Sequence, residues 1–189
     1  MTETPNPNIV DADTLTGEMH PIRRCVPAIG SNLGDRLTYL QGAVEALADT
    51  PEVWLTAVSP VYETEPIDAV DGSEPFLNAV VLLDTTLAAR TLLERALAIE
   101  DAYGRERTSE RGTPRTLDVD LIVVGDRRAN DEHLVLPHPK AHERAFVLAP
   151  WHDVDPEAEL LDMGPVADLL DKVADQGVAR RSDLSLSFS

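Results

Sequence analysis

After a polar opening, the chain alternates between short apolar runs and stretches in which apolar residues recur three or four positions apart. Residues 1–22 carry neither period and read as a flexible N-terminal extension, with Met19 as a second methionine close to where regular structure is expected to begin. A short first strand is predicted within MHPIRRCVPAIGSNLG (19–34), ahead of the turn GSNLG (30–34). Asp35 then suits a helix N-cap, and Leu37, Leu40, Val44 and Leu47 form the apolar stripe of the helix, which Thr50-Pro51 stops. EVWLTAVSPVYETEP (52–66) reads as one strand running into a loop, DGSEP (71–75) as a turn, and FLNAVVLLDT (76–85) as a well-buried strand. Thr86 is placed to cap a helix whose buried face is Ala89, Leu92, Leu93, Ala96, Ile99 and Tyr103, ending at Gly104. Another strand spans roughly 116–124. A hairpin or loop through 136, a helix near 142–149, and a last helix begun by Pro165 with Val166, Leu169, Leu170 and Val173 inward complete a domain over 23–175. The Ser-rich residues 176–189 are expected to form a loose tail. The order β-α-β-β-α-β predicts an α+β fold of the ferredoxin-like kind: an antiparallel sheet with packed helices and C-terminal additions.

One segment departs from this pattern. TPRTLDVDLIVVG (113–125) places two carboxylates in an otherwise apolar strand. Side chains alternate across a strand, so Thr116, Asp118, Asp120, Ile122 and Val124 are expected on one face and Leu117, Val119, Leu121 and Val123 on the other. The two acids then sit side by side about 7 Å apart at Cα, a spacing that lets them converge on one cation or on two neighbouring cations. Two half-buried like charges call for something positive nearby. The plainer alternative is a strand end whose acids face water.

Composition narrows the chemistry. The chain has 189 residues, 43% of them hydrophobic, which suffices for one domain with a real core. No apolar run approaches the roughly 20 residues of a membrane span, and no basic residue precedes Arg23, so a cytoplasmic protein without a leader is expected. The single cysteine, Cys25, lies in an apolar run and reads as a small core residue. A net charge of -18 disfavours nucleic acid, and an aromatic content of 4% disfavours the RNA-stacking sheets that share this strand order. A local basic site does exist: GRERTSERGTPR (104–115) carries Arg105, Arg107, Arg111 and Arg115 just before the acidic pair. Glu106 and Glu110 could neutralise these arginines on a solvated loop, yet arginines beside acids that hold divalent cations also make a phosphoryl-transfer site. AIGSNLGDR lacks the Lys-Ser or Lys-Thr of a phosphate loop. His133, His138 and His142 are spaced like metal ligands, but Pro137 and Pro139 keep them off one helix, and zinc is not expected.

Six blocks in order, AIGSNLGDR, SPVYETEPI, PFLNAVV, IEDAYGRER, PRTLDVDLIVVG and LPHPKAHERAFVLAPW, resemble 6-hydroxymethyl-7,8-dihydropterin pyrophosphokinase over about residues 24–160. The resemblance implies transfer of the pyrophosphoryl group of ATP to the pterin's hydroxymethyl oxygen, with release of AMP, in folate biosynthesis. It implies that Asp118 and Asp120 bind two Mg2+ ions, that Arg105 and Arg115 act on the phosphates during transfer, and that Glu100, Arg107, Arg111, Leu121, His138 and Arg144 lie on the ATP side. Phe76 and Phe146 would sandwich the pterin, Asn78 would hydrogen-bond its edge, and Thr64, Glu65 and Ile67 would line it. Without the resemblance, Phe76 and Phe146 read as core and Asn78 as a strand cap. A monomer is implied, with dihydroneopterin aldolase and dihydropteroate synthase as functional neighbours. Four positions depart from the family pattern: Gly112 replaces a loop aromatic, Pro27 falls in an interior strand, Pro139 replaces a Tyr, and Leu97 replaces a Gln. On fold alone, the alternative is a non-catalytic module that binds a small ligand or nucleotide.

Overall fold

A computed structural model describes residues 21–64, 74–104 and 116–189. The main sheet is antiparallel and runs β10 (Val178–Arg180), β3 (Tyr62–Thr64), β4 (Phe76–Thr85), β1 (Arg23–Ser31), β5 (Asp118–Val124), with β2 (Val53–Val58) also paired to β4. Central β1 and β4 with β5 outside them is the ferredoxin-like order. Helices α1 (Arg36–Ala48) and α2 (Ala89–Ala102) cover one face, where Leu40, Val44, Leu92 and Ile99 pack on Ile29, Leu77, Val81 and Leu83. The C-terminal additions α3 (Ala145–Val154) and α4 (Val166–Lys172) cover part of the other face, where Leu148 and Trp151 meet Val26, Val80, Leu82 and Ile122. Strand β4 therefore contributes to both cores, which is why its sequence is almost continuously apolar. Two short hairpins, β6–β7 (Ala129–Asn130 with Val135–Leu136) and β8–β9 (Glu159–Leu160 with Gly164–Pro165), link these parts.

Several local expectations hold. Asp35 caps α1, its carboxylate accepting from the Thr38 N–H at 3.3 Å, and α2 runs out at Gly104, whose φ of 77° is the left-handed conformation that glycine takes freely. Others are corrected. Thr86 does not cap α2; the N-cap is Ala88, and the turn before it is held by the Leu87 N–H donating to the Thr85 hydroxyl oxygen at 3.0 Å. The segment 52–66, expected as a strand running into a loop, forms two strands separated at Ser59-Pro60, because Pro60 has no N–H to continue the ladder. Ser59 bridges the break, donating its N–H to the Val80 carbonyl at 2.9 Å and accepting the Val80 N–H on its hydroxyl at 2.8 Å.

The tail is not loose. Residues Val178–Arg180 add a strand beside β3, and Leu184 and Leu186 pack against the α1/α2 core. Its serine content hid an alternation of apolar residues that one helix face and one sheet edge accept.

The expected face assignment along β5 is corrected at its end. Val26 pairs with Val123 but Pro27 with Leu121, so Ile122 is an extra residue on β5, a β-bulge. Past the bulge the alternation reverses, and Val124 joins the α1/α2 core while Ile122 and Val123 join the other. Pro27 sits opposite this irregularity. A residue with no N–H is tolerated there because the ladder is already interrupted.

Candidate active site

Residues directly opposite each other on neighbouring strands share a face of the sheet, so the register assembles the site. One row crosses the sheet through Tyr62, Asn78, Gly30 and Asp118; the next passes through Val80, Ala28 and Asp120; on the other side Thr64 faces Phe76. All of these lie on the α3 face, as the membership of Val80 in the α3 core shows. The two predicted acids thus stand one row apart, beside Asn78, across a floor of glycine and alanine. Asp118 and Asp120 are half-buried, whereas Thr64 and Asn78 are buried. The Asn78 amide donates to the Thr64 hydroxyl at 2.9 Å, which turns its Oδ1 over Gly30. A Cβ on Gly30 would stand 2.9 Å from that oxygen and 3.6 Å from the Phe76 ring. Only a glycine leaves this row open.

Helix α3 closes the adjoining part of the face. Its first turn brings Arg144 and Phe146 together, the guanidinium carbon 5.4 Å from the ring centroid, a cation–π contact. Phe76 and Phe146 are each half-buried, and Phe146 also packs against the α3-side core. The Tyr62 hydroxyl donates to the Asp153 carboxylate and pins α3 to β3. Burial, then the bond to Asp153, pushes the Tyr62 hydroxyl up to about 12.

The outer edge of β5 is occupied by α2. Glu100 is 1% exposed, and its carboxylate accepts the Val119 N–H at 3.0 Å. This blocks an edge strand that would otherwise offer unpaired backbone groups. Glu100 therefore positions the segment between the two acids. Leu121 packs in the α1/α2 core, so any contact it makes with a ligand comes from its backbone at this edge.

His138 reaches β5 at its bulge. Its N–H donates to the carbonyl of the bulged Ile122 at 2.9 Å, and its ring Nδ1 accepts the Lys140 N–H at 3.2 Å. The remaining ring nitrogen, Nε2, then carries the proton and is a hydrogen-bond donor. Burial, followed by the charges of Arg144 and Lys140, lowers the imidazole to about 4. Between about pH 4 and 6.5 the folded chain holds fewer protons here than the unfolded chain, so the stability from neutral His138 is complete above pH 6.5 and lost as pH falls to 4. Allowing for partial exposure, this amounts to about 1 to 2 kcal/mol. An NMR titration of the ligand-free protein should show His138 titrating near 4, and an anionic ligand should raise that value. A ligand-free value near 6.5 would contradict this environment.

The structure brings together Asp118, Asp120, Thr64, Phe76 and Asn78 on one face, with Arg144 and Phe146 at the start of α3, Glu100 at the edge of β5, and His138 against its bulge. Glu65, Ile67, Arg105, Arg107, Arg111 and Arg115 lie outside the described residues. Among the described residues, no group of three His, Cys, Asp or Glu side chains gathers. Gly30 is the site residue that sequence reasoning missed. Its segment invites comparison with a phosphate loop, while its register opposite Asn78 and Asp118 is visible only in the fold.

A family profile for 7,8-dihydro-6-hydroxymethylpterin-pyrophosphokinase (HPPK) matches residues 26–156. The chain is 45% identical over 160 residues to the 2-amino-4-hydroxy-6-hydroxymethyldihydropteridine pyrophosphokinase of Mycobacterium tuberculosis, covering 78% of this chain and 82% of that protein. It is 38% identical to the enzyme of the same name from Pseudomonas aeruginosa, covering 84% of this chain and 97% of that one. Among solved structures, Plasmodium falciparum HPPK-DHPS with pterin and p-hydroxybenzoate superposes with a TM-score of 0.65 at 14% identity, over 84% of this chain and 44% of that chain. That likeness supports the fold alone. Among the described residues no helix is long and apolar enough to cross a membrane. With the profile spanning most of the domain and relatives this similar over most of their length, the chain belongs to the 7,8-dihydro-6-hydroxymethylpterin-pyrophosphokinase family, ATP-dependent enzymes that transfer pyrophosphate to hydroxymethyldihydropterin in folate biosynthesis.

Proposed function

We propose that this chain performs the family's transfer on the open α3 face, with Asp118 and Asp120 holding two Mg2+ ions beside the pterin. The observation that carries the proposal is the register itself, which sets Asn78, Gly30 and Asp118 in one row with Asp120 in the next. The two hard carboxylate donors on one strand face, standing over small residues, fit Mg2+, which takes few protein oxygens and completes its shell with phosphate and water. When bound, such ions neutralise the phosphates and polarise them for attack.

The protein's own part is positioning. Phe76 and Phe146 offer aromatic faces to a flat ring, and Asn78 offers Oδ1 and an N–H to its edge. The hydroxymethyl oxygen then lies toward the aspartates. It forms a bond to the β-phosphorus of ATP as the bond to the α,β-bridging oxygen breaks; AMP leaves, and the hydroxyl proton passes to solvent. His138 Nε2–H and Arg144 donate to phosphate oxygens, with Arg105, Arg107, Arg111 and Arg115 supplying further positive charge. The chain acts in the cytoplasm as a monomer, and a dihydropteroate synthase would take its product. Support for the last point is that the similar solved structures are HPPK-DHPS chains.

Incubation with ATP and 6-hydroxymethyl-7,8-dihydropterin should release AMP only when the pterin is present; pterin binding without AMP release would favour the non-catalytic reading. Phe146→Ala should weaken pterin binding by about 1 to 3 kcal/mol with little change in ATP binding. Titration calorimetry with each ligand checks this, and an equal loss for both, accompanied by a lowered Tm, would return Phe146 to a plain core role.

A further inference from the structure

At the pterin end of the sheet, one guanidinium holds several groups. Arg36, the first residue of α1, donates from Nη1 to Glu63 Oε2 at 3.0 Å and to the Pro75 carbonyl at 2.7 Å, and its Nε lies 3.8 Å from Glu74 Oε2. Glu63 and Pro75 are the neighbours of Thr64 and Phe76, the pair that opens the ring-binding row. Arg36 thus ties β3 to β4 just outside that pair.

The same carboxylate takes a second arginine. Arg181, directly after β10, donates from Nη1 to Glu63 Oε2 at 2.8 Å, its N–H donates to the Val61 carbonyl at 2.8 Å, and its other guanidinium nitrogens grip Asp183 at 2.9 and 2.8 Å. Strand β10 pairs residue by residue with β3, Val178 facing Thr64. Further on, Gln41 of α1 receives Ser187 as a second strand would, donating to its carbonyl at 2.8 Å and accepting its N–H at 3.0 Å. Without these contacts β3, three residues long, would be an exposed edge, and such short edges fray.

We infer that the C-terminal segment 177–189, through Arg181, Glu63 and Arg36, is a positioning device for pterin recognition. Thr64 is the link. Its hydroxyl accepts from Asn78 Nδ2, which decides which way the Asn78 amide presents its oxygen and its remaining N–H to the ring edge. The geometry couples the last residues of the chain to the choice of ring and leaves the phosphate side untouched, because Asp118, Asp120 and His138 lie across the sheet from β10.

The inference rests on the pterin reading of the site, and the test separates the two. Arg181→Gln, Arg181→Lys and a chain ending at Gln176 are compared with the intact protein, using the reduced hydroxymethylpterin and a non-hydrolysable ATP analogue as probes. Arg181→Gln and the shortened chain should raise the Kd and KM for the pterin by roughly tenfold, a loss of about 1.4 kcal/mol, with the Kd for the analogue within twofold of normal. Arg181→Lys should restore most of the pterin affinity. If Arg181→Gln binds the pterin as the intact protein does, or loses both ligands in parallel with its Tm, the positioning role is overturned. If the shortened chain does not fold, the two point variants still decide. An intact protein that ignores the pterin would instead sink the functional reading itself.

Discussion

Asp118→Asn and Asp120→Asn should each lower kcat by a factor of about 1,000 or more while leaving the fold intact. The substitution preserves shape but replaces one acceptor oxygen by an NH2 donor and removes the charge that a divalent cation requires, and one ligand's worth of transition-state stabilisation is commonly several kcal/mol. Both residues are half-buried on an open face, so neither supports the packed core, whose members on β5 are Val119, Leu121, Ile122, Val123 and Val124. Tm should therefore move by less than about 4 °C. Pterin binding in the absence of nucleotide should change far less than turnover. Measuring kcat over a range of Mg2+ concentrations, beside thermal unfolding, decides the matter. Near-normal turnover at ordinary Mg2+ by either variant would remove the metal role.

Gly30→Val should abolish pterin binding with a modest effect on ATP. Even a Cβ would stand 2.9 Å from Asn78 Oδ1, and that side chain cannot yield freely because it is buried and bonded to Thr64. Two further methyl groups occupy the space between Asn78 and Asp118, where the proposed site puts the ring edge. The expected loss is about 3 kcal/mol or more, since a displaced amide leaves polar groups of the ring unpaired. Gly30→Ala should fall between, by about 1 to 2 kcal/mol. Calorimetric titration with the pterin, alongside a Tm, distinguishes blockage from unfolding: a Gly30→Val protein that binds the pterin normally would show that the ring lies elsewhere.

The strands and helices of the βαββαβ core could be read from apolar periodicity, because α1, α2 and β4 bury regular faces and Asp35 has the chemistry of a cap. The acidic pair stood out for a related reason: carboxylates are costly in a strand that is otherwise buried. What periodicity could not show was anything that depends on partners distant in sequence. The Ile122 bulge exists only relative to Val26 and Pro27, and it reverses which face Val124 takes. Strand β10 is three residues whose pairing with β3 carries no local signal, and nothing in the Ser-rich sequence around Arg181 marks it as the second partner of the carboxylate that Arg36 holds. Gly30 belongs to the same class, since its need to be glycine comes from Asn78, which lies 48 positions along the chain. The ring and phosphate assignments for Phe76, Phe146, His138 and Arg144 came from the family resemblance. Their half-buried placement is what the structure adds.

Transfer of an intact pyrophosphoryl group onto the pterin is the central claim, and isotopic labelling follows it directly. Separate reactions with ATP labelled at the β-phosphorus and at the γ-phosphorus, each containing 6-hydroxymethyl-7,8-dihydropterin and Mg2+, are resolved into nucleotide and pterin products. Both labels should appear in the pterin product in equal yield, with unlabelled AMP as the nucleotide product. Label reaching the pterin from the γ-position alone, or no label transfer that depends on the pterin, would contradict it.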